Sequence, residues 1–251
     1  MKHFEEKFDM SQRHACALAG QHRSVQRHRS QEQRDPILER RLQELAKERP
    51  RFGYRRLTIL LRREGFRVNH KRVYRLYGAL GLVVRSKRRK RAAQASRQPV
   101  TAAASANEVW SMDFLSDALT DGRGLRVFAV VDDFSKHSRA LIADVALPAE
   151  RVTRELDAAI QRHGCPRAVR TDNGPEFTSK AFDAWAYRHG IEHHFIRPGK
   201  PTENAFAESF NDRVRDELLN QHCFTSVRHA QDLCDDWRSD YNSLRPHTSL
   251  G

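Results

Sequence analysis

Cysteine is scarce in this chain, and so is any long apolar run. Four cysteines occur in 251 residues: Cys16, Cys165, Cys223 and Cys234. They form no CxxC pair, so neither a disulfide framework nor a cysteine zinc site is expected. The longest clean apolar run, Val127–Val131, covers five residues, whereas a membrane-spanning helix needs about 20. No membrane partner is therefore expected. The opening residues lack a charged-then-apolar leader, and a cytoplasmic, nucleoid-associated protein is the expectation.

Acidic residues are scarce at one end only. Residues 1–100 carry 27 basic side chains against 9 acidic, a net of +18. Residues 101–251 carry 18 against 23, a net of −5. The overall charge of +13 thus divides into a basic module and a mildly acidic one. So basic a module calls for a polyanionic partner, most simply nucleic acid.

The basic end carries helix punctuation. Ser11 can cap a helix with Ala15, Leu18 and Ala19 on its apolar side and Gly20 as its stop. Asp35-Pro36 is a cap followed by proline at the first helical position, with Leu38, Leu42 and Leu45 at helical spacing. Pro50 ends that helix. Gly53 opens the next, striped by Leu57, Leu60 and Leu61. Asn69 caps a third, with Val73, Leu76, Tyr77 and Leu80 inward and Lys71, Arg72 and Arg75 on its remaining face. Short helices, tight glycine turns and a basic last helix suggest a helix-turn-helix over residues 35–82. Arg85, Lys87, Arg88, Arg89, Lys90 and Arg91 then crowd six charges into seven positions. Like charges that dense repel and stay extended. Residues 83–106 therefore read as a basic linker lying along phosphates, giving affinity without sequence reading.

From residue 107 strands and helices alternate. Strands are expected at Trp110–Leu115, Gly124–Phe134, Ser138–Val145, Ala168–Thr171 and Ile191–Ile196. Helices are expected at Pro148–His163, at Ser179–His189 and from Thr202 to about Asn220. The fold class is α/β, a mixed five-stranded sheet flanked by helices, preceded by an α-helical region. Asp133 is expected to support the turn after the second strand.

Three acids carry the chemistry. Asp113 lies in WSMDF on the first strand, Asp172 in TDNGPEF where the short strand ends, and Glu208 in NAFAESFN on the last expected helix. Thirty-five residues separate Asp172 from Glu208. At about 100° per residue, Asn204, Asn211, Asp212 and Arg215 fall within about 60° of Glu208, with Phe206 and Phe210 opposite. A polar face of amide and acid suits a metal and phosphate site. Hard divalent cations take oxygen ligands, and two ions about 4 Å apart can serve both the attacking and the leaving oxygen of an in-line displacement. Mg²⁺ is the expected cofactor, with Mn²⁺ able to substitute. Asp113 is the natural shared ligand, with Asp172 and Glu208 each completing one ion.

With these residues in view, the chain resembles the second-frame (OrfB-type) transposases of a large bacterial insertion-sequence family, whose cores are similar to retroviral integrase. The segments that carry the resemblance are RFGYRRL (51–57), VNHKRVYRL (68–76), WSMDF (110–114), VVDDFSK (130–136), RTDNGPEF (170–177), PGKPTENAFAESFN (198–211) and YNSLRPHTSLG (241–251). The resemblance implies an RNase H-like core over 107–251 with a D,D(35)E triad of Asp113, Asp172 and Glu208. It implies a DNA contact at Arg215, a basic residue seven positions after the glutamate; Lys200 and Asn211 are expected to contact DNA as well. It further implies helix-turn-helix segments that bind the element's terminal inverted repeats, and residues 1–30 are expected as an N-terminal helical DNA-binding segment. Self-association on paired ends and a first-frame (OrfA-type) partner or fusion also follow from it. Lys136 stands where the family often has Arg, and Glu203 adds an acid. Related chains usually continue beyond the SLG segment. Only Cys16 occurs in the first 100 residues, so the zinc site of retroviral integrases is not expected. A metal-dependent nuclease and a non-catalytic DNA-binding repressor are the rival readings.

Overall fold

The computed structural model describes residues 2–27, 35–84, 103–197 and 204–246. The chain divides into two compact units, Met1–Glu44 and Leu45–Gly251. The first holds α1 (Lys2–Phe8), α2 (Gln12–Leu18), α3 (Arg23–Arg27) and most of α4 (Pro36–Glu48). Ser11 caps α2 by accepting from the His14 N–H, and Gly20 follows it at a φ of 62°, a backbone state that favours glycine. The inward side of α2 is Ala15 and Cys16, while Leu18 is 60% exposed. The expected stripe is therefore rotated by about a sixth of a turn.

The border between units falls inside α4, and most of the segment 83–106 expected as a linker lies outside the described residues. Within the second unit, four arginines of residues 45–84 reach its C-terminal helices. Arg49 pairs with Asp240, Arg51 with Asp216, and Arg56 with Glu217, which also takes Arg245. Arg63 donates to the Leu244 carbonyl. The buried Phe52 ring lies against the Arg49, Arg56 and Arg245 guanidiniums at 5.4, 5.1 and 5.9 Å. Within this region α5 (Tyr54–Arg63) and α6 (His70–Ala79) start at Gly53 and Asn69, as their residues suggest. Asn69 accepts from the Lys71 N–H. Leu57, Leu61, Val73 and Tyr77 are buried, and Leu60, Leu76 and Leu80 only half-buried.

The sheet has five strands in the order β3-β2-β1-β4-β5. They are β1 (Val109–Ala118), β2 (Gly124–Asp132), β3 (Ser138–Asp144), β4 (Ala168–Thr171) and β5 (Glu192–Phe195). β1 pairs antiparallel with β2 and β2 with β3, whereas β1–β4 and β4–β5 are parallel. Alternation along the strands sends side chains to two cores. Leu115, Val127, Ala129, Val131 and Leu141 pack with Phe210, Val214 and Tyr241. These come from α9 (Ala205–Glu217) and α10 (Val227–Ser243). Trp110, Met112, Phe128 and Val130 pack with Leu156, Phe182 and Trp185, from α7 (Ala149–His163) and α8 (Lys180–His189). The sheet is thus covered on both faces. The helix α10 goes beyond the expected elements, and α9 stops at Glu217, a 3-10 turn (Leu219–Gln221) following it.

The turn after β2 is organised by Asp132, not by Asp133. Asp132 Oδ1 accepts from the Phe134 and Ser135 N–H groups and the Ser135 hydroxyl, at 3.1, 2.7 and 2.9 Å. This gathering ends the strand two residues earlier than its apolar run suggests. Asp133 instead pairs with Arg170 of β4 at 2.6 Å.

Candidate active site

Asp113 sits in the middle of β1, on the face that α9 covers. The parallel register pairs Trp110 with Val169 and Ser111 with Arg170. Continued by two residues, it brings Asp172, immediately after β4, beside Asp113. This is why a four-residue strand ending in an acid matters: the pairing with β1 delivers that acid to its partner. Asp172 is held there by its own turn, its Oδ1 accepting from the Gly174 N–H at 3.0 Å.

The third acid arrives on α9. Asn204 precedes the helix and donates to the Met112 carbonyl at 3.2 Å; Asn211 donates to Asp113 Oδ2 at 2.8 Å. Two amides seven residues apart thus fasten α9 across β1 on either side of Glu208. Ala207, Phe210 and Val214 are buried beneath, leaving Glu208 exposed. Asn204 is not on the open polar face expected for it but buried at 3% exposure, because it bonds the strand. Asn211, expected at the DNA, likewise spends its amide N–H on Asp113.

The three carboxylates feel one another. Asp113 is pushed up from 3.8 to about 6, first by burial, then by the charges of Asp172 and Glu208. The Phe114 N–H and the Asn211 amide oppose the shift. Among the described residues, none of the three acids is in an ion pair. Nor are any three His, Cys, Asp or Glu side chains there already drawn into a cage for an ion. The donor set nonetheless fits a hard cation that keeps much of its water. All three groups are carboxylates with no ion-pair partner among the described residues, and the buried Asn211 Oδ1 has no hydrogen-bond partner there.

Comparison with known proteins decides the family. Integrase core domain models match residues 103–201 and 189–251, and an HTH-like domain model matches residues 32–91. The 31.7 kDa protein of insertion element IS407 from Burkholderia multivorans is 47% identical over the whole chain and 91% of its own length. The chain belongs to the insertion-sequence transposases with an integrase core. The putative transposase InsK of element IS150 from Escherichia coli is 28% identical, over 83% of this chain and 77% of that one. A chain of the simian T-cell lymphotropic virus intasome shares the fold, with a TM-score of 0.54 at 18% identity, over 82% of this chain and 70% of that one.

The basic residues of the transposase divide by position. Lys71 and Arg75 are exposed on α6 beside the exposed Tyr74, with Arg72 half-buried. Arg215 is exposed on α9, on the side of Glu208. Arg85, Lys87, Arg88, Arg89, Lys90, Arg91 and Lys200 lie outside the described residues. No helix among the described residues is long and apolar enough to cross a membrane.

The raised Asp113 predicts an effect on stability. A carboxylate whose folded value exceeds its unfolded one weakens the fold as pH rises from about 4 through about 6. Asp113→Asn removes that loss. Without divalent cations at pH 8 the variant should be more stable by about 1–2 kcal/mol, allowing for the partial exposure of the group. The gain should vanish near pH 4, and thermal unfolding at the two pH values measures it.

Proposed function

We propose that this transposase cuts and joins DNA strands at the ends of an insertion element, with Asp113, Asp172 and Glu208 as its catalytic acids. The observation that carries the reading is their convergence. Three carboxylates from a strand, a turn and a helix come close enough for two of them to raise the third. A fold retains such repulsion where a cation relieves it.

Asp113, Asp172 and Glu208 would hold Mg²⁺, with Asp113 as the shared ligand, and Mn²⁺ would suit the same oxygens. Bound there, the metal supplies positive charge for the attacking and the leaving oxygen of a phosphodiester displacement. The chain's own work is positional. β1 and β4 hold two acids in register, Asn211 orients Asp113, and α9 carries Glu208 over both. Asp113 must give up its proton on loading, so metal affinity should fall as pH drops through about 6. Arg215, one helical turn pair beyond Glu208, is placed to meet a phosphate.

DNA is held by other parts. Lys71, Arg72 and Arg75 on α6 read the terminal inverted repeats, Lys200 and the run 85–91 contact phosphates, and self-association brings two ends together. A first-frame partner or fusion would add to end binding. Two results are expected in binding assays. Changing Lys71 or Arg75 singly to Gln should reduce the preference for terminal repeats over random DNA about tenfold, a lost base contact being worth about 1–3 kcal/mol. Neutralising the run 85–91 should weaken binding to all sequences alike and flatten its salt dependence by up to about five units of log–log slope. The deciding assay is Mg²⁺-dependent joining of a pre-cut terminal repeat to target DNA. Cleavage without joining would favour a nuclease instead.

A further inference from the structure

Arg126 lies outside the three acids and outside every DNA-contact residue named above. It projects from β2 between the supports of two catalytic acids. On one side its guanidinium lies 4.3 Å from the centroid of the Phe114 ring. Phe114 follows Asp113, and its N–H donates to Asp113 Oδ1 at 2.8 Å. On the other side Arg126 pairs with Glu176, a nearly buried carboxylate in the turn that carries Asp172. The next residue, Phe177, is fully buried and packs against Phe114 with the rings tilted and 5.3 Å between centroids.

The turn itself explains why Glu176 needs a partner. A Cβ built on Gly174 would stand 3.0 Å from Asp172 Oδ1 and 3.4 Å from Glu176 Oε2. The two carboxylates therefore converge on one point, with only a glycine between them. Unpaired, Glu176 would repel Asp172 or compete with it for a cation. Arg126 holds Glu176 by its other oxygen, Oε1, which fixes the carboxylate in place and counters its charge. Burial raises the Glu176 carboxyl, yet the Arg126 hydrogen bond, a backbone N–H and the Arg126 charge together outweigh it and hold the group below its ordinary value.

We infer that Arg126 and Glu176 are positioning residues, a brace that fixes the Asp172 turn against the Asp113 strand and reserves Asp172 for the metal. The inference rests on the proposed catalytic triad. Its signature is a change in metal affinity, since residues that orient metal ligands typically alter affinity about 10- to 100-fold. The experiment follows the thermal midpoint of the full chain against Mg²⁺ concentration, alongside strand joining at the same concentrations. Arg126→Gln and Glu176→Gln should each raise the half-saturating Mg²⁺ at least about tenfold in both readouts. Arg126→Lys, which keeps the charge, should fall between them and the unaltered protein. Unchanged half-saturation in both Gln variants overturns the brace, as does a lower maximal joining rate without a shift in Mg²⁺ dependence. Asp172→Asn run in parallel separates the two ideas. If it still joins DNA, the triad itself is wrong; if it is dead while Arg126→Gln behaves normally, only the brace is.

Discussion

Asp172→Asn should abolish strand cleavage and strand joining while leaving binding to terminal repeats intact. The substitution is isosteric and keeps an oxygen for the Gly174 N–H, so the turn survives. What it removes is one negative charge from a set of three. Transition-state stabilisation through a bound cation is worth several kcal/mol, and each 1.36 kcal/mol is a factor of ten in rate. A fall of about 10³-fold or more is expected. Joining of a pre-cut end is the stringent assay, because it bypasses the first cut. Persistent joining would mean that Asp172 is not a ligand. Its placement immediately after a short parallel strand would then need another explanation.

The elements that position this acid were legible in the residues for a local reason. Asn173-Gly174 announces a turn, Ala168–Thr171 is a short apolar run, and Ser179 caps the next helix. Local signals of this kind survive without knowledge of the fold. The contacts that tune the site do not. Asn211 meets Asp113 across 98 positions and Arg126 meets Glu176 across 50. Neither amide nor arginine carries a mark of its distant partner, so Asn211 reads equally well as a DNA contact. Helix α10 escaped for a different reason. Its buried residues are only Ala230, Cys234 and Tyr241, too thin an apolar stripe among charges to stand out. The helix-turn-helix region likewise hid a tertiary fact: Arg49, Arg51 and Arg56 add to its basic charge but are paired with acids of α9 and α10.

The adjacent acids at 132 and 133 show how far local reading can mislead, and they give the second large effect. Asp132→Asn should destabilise the protein by about 3–5 kcal/mol, the range for breaking a buried charged network. Asp132 is fully buried. Its Oδ1 serves Phe134 and Ser135, while its Oδ2 accepts from the Asn107 N–H at 2.7 Å and from Arg139 at 3.1 Å. Every neighbour is a donor. Whichever way an amide is turned, its NH₂ faces N–H groups on one side, and Arg139 loses its counter-charge. The damage would spread, because Asn107 also anchors Trp110 at 3.1 Å and the His163 carbonyl at 2.7 Å. Its pH dependence has a definite sign. Burial would raise Asp132, but the donors from Asn107, Ser135 and Arg139 outweigh it and hold the carboxyl below 3.8. Its contribution is therefore complete above the ordinary carboxylate value and lost as pH falls through the lower folded one. Urea unfolding should show the full gap between Asp132→Asn and the unaltered protein at pH 7, narrowing below about pH 4. Ser135→Ala, which removes one hydroxyl from the same network, should cost only about 1 kcal/mol. If Asp132→Asn costs no more than Ser135→Ala, the buried network does not hold the entrance to the catalytic strand.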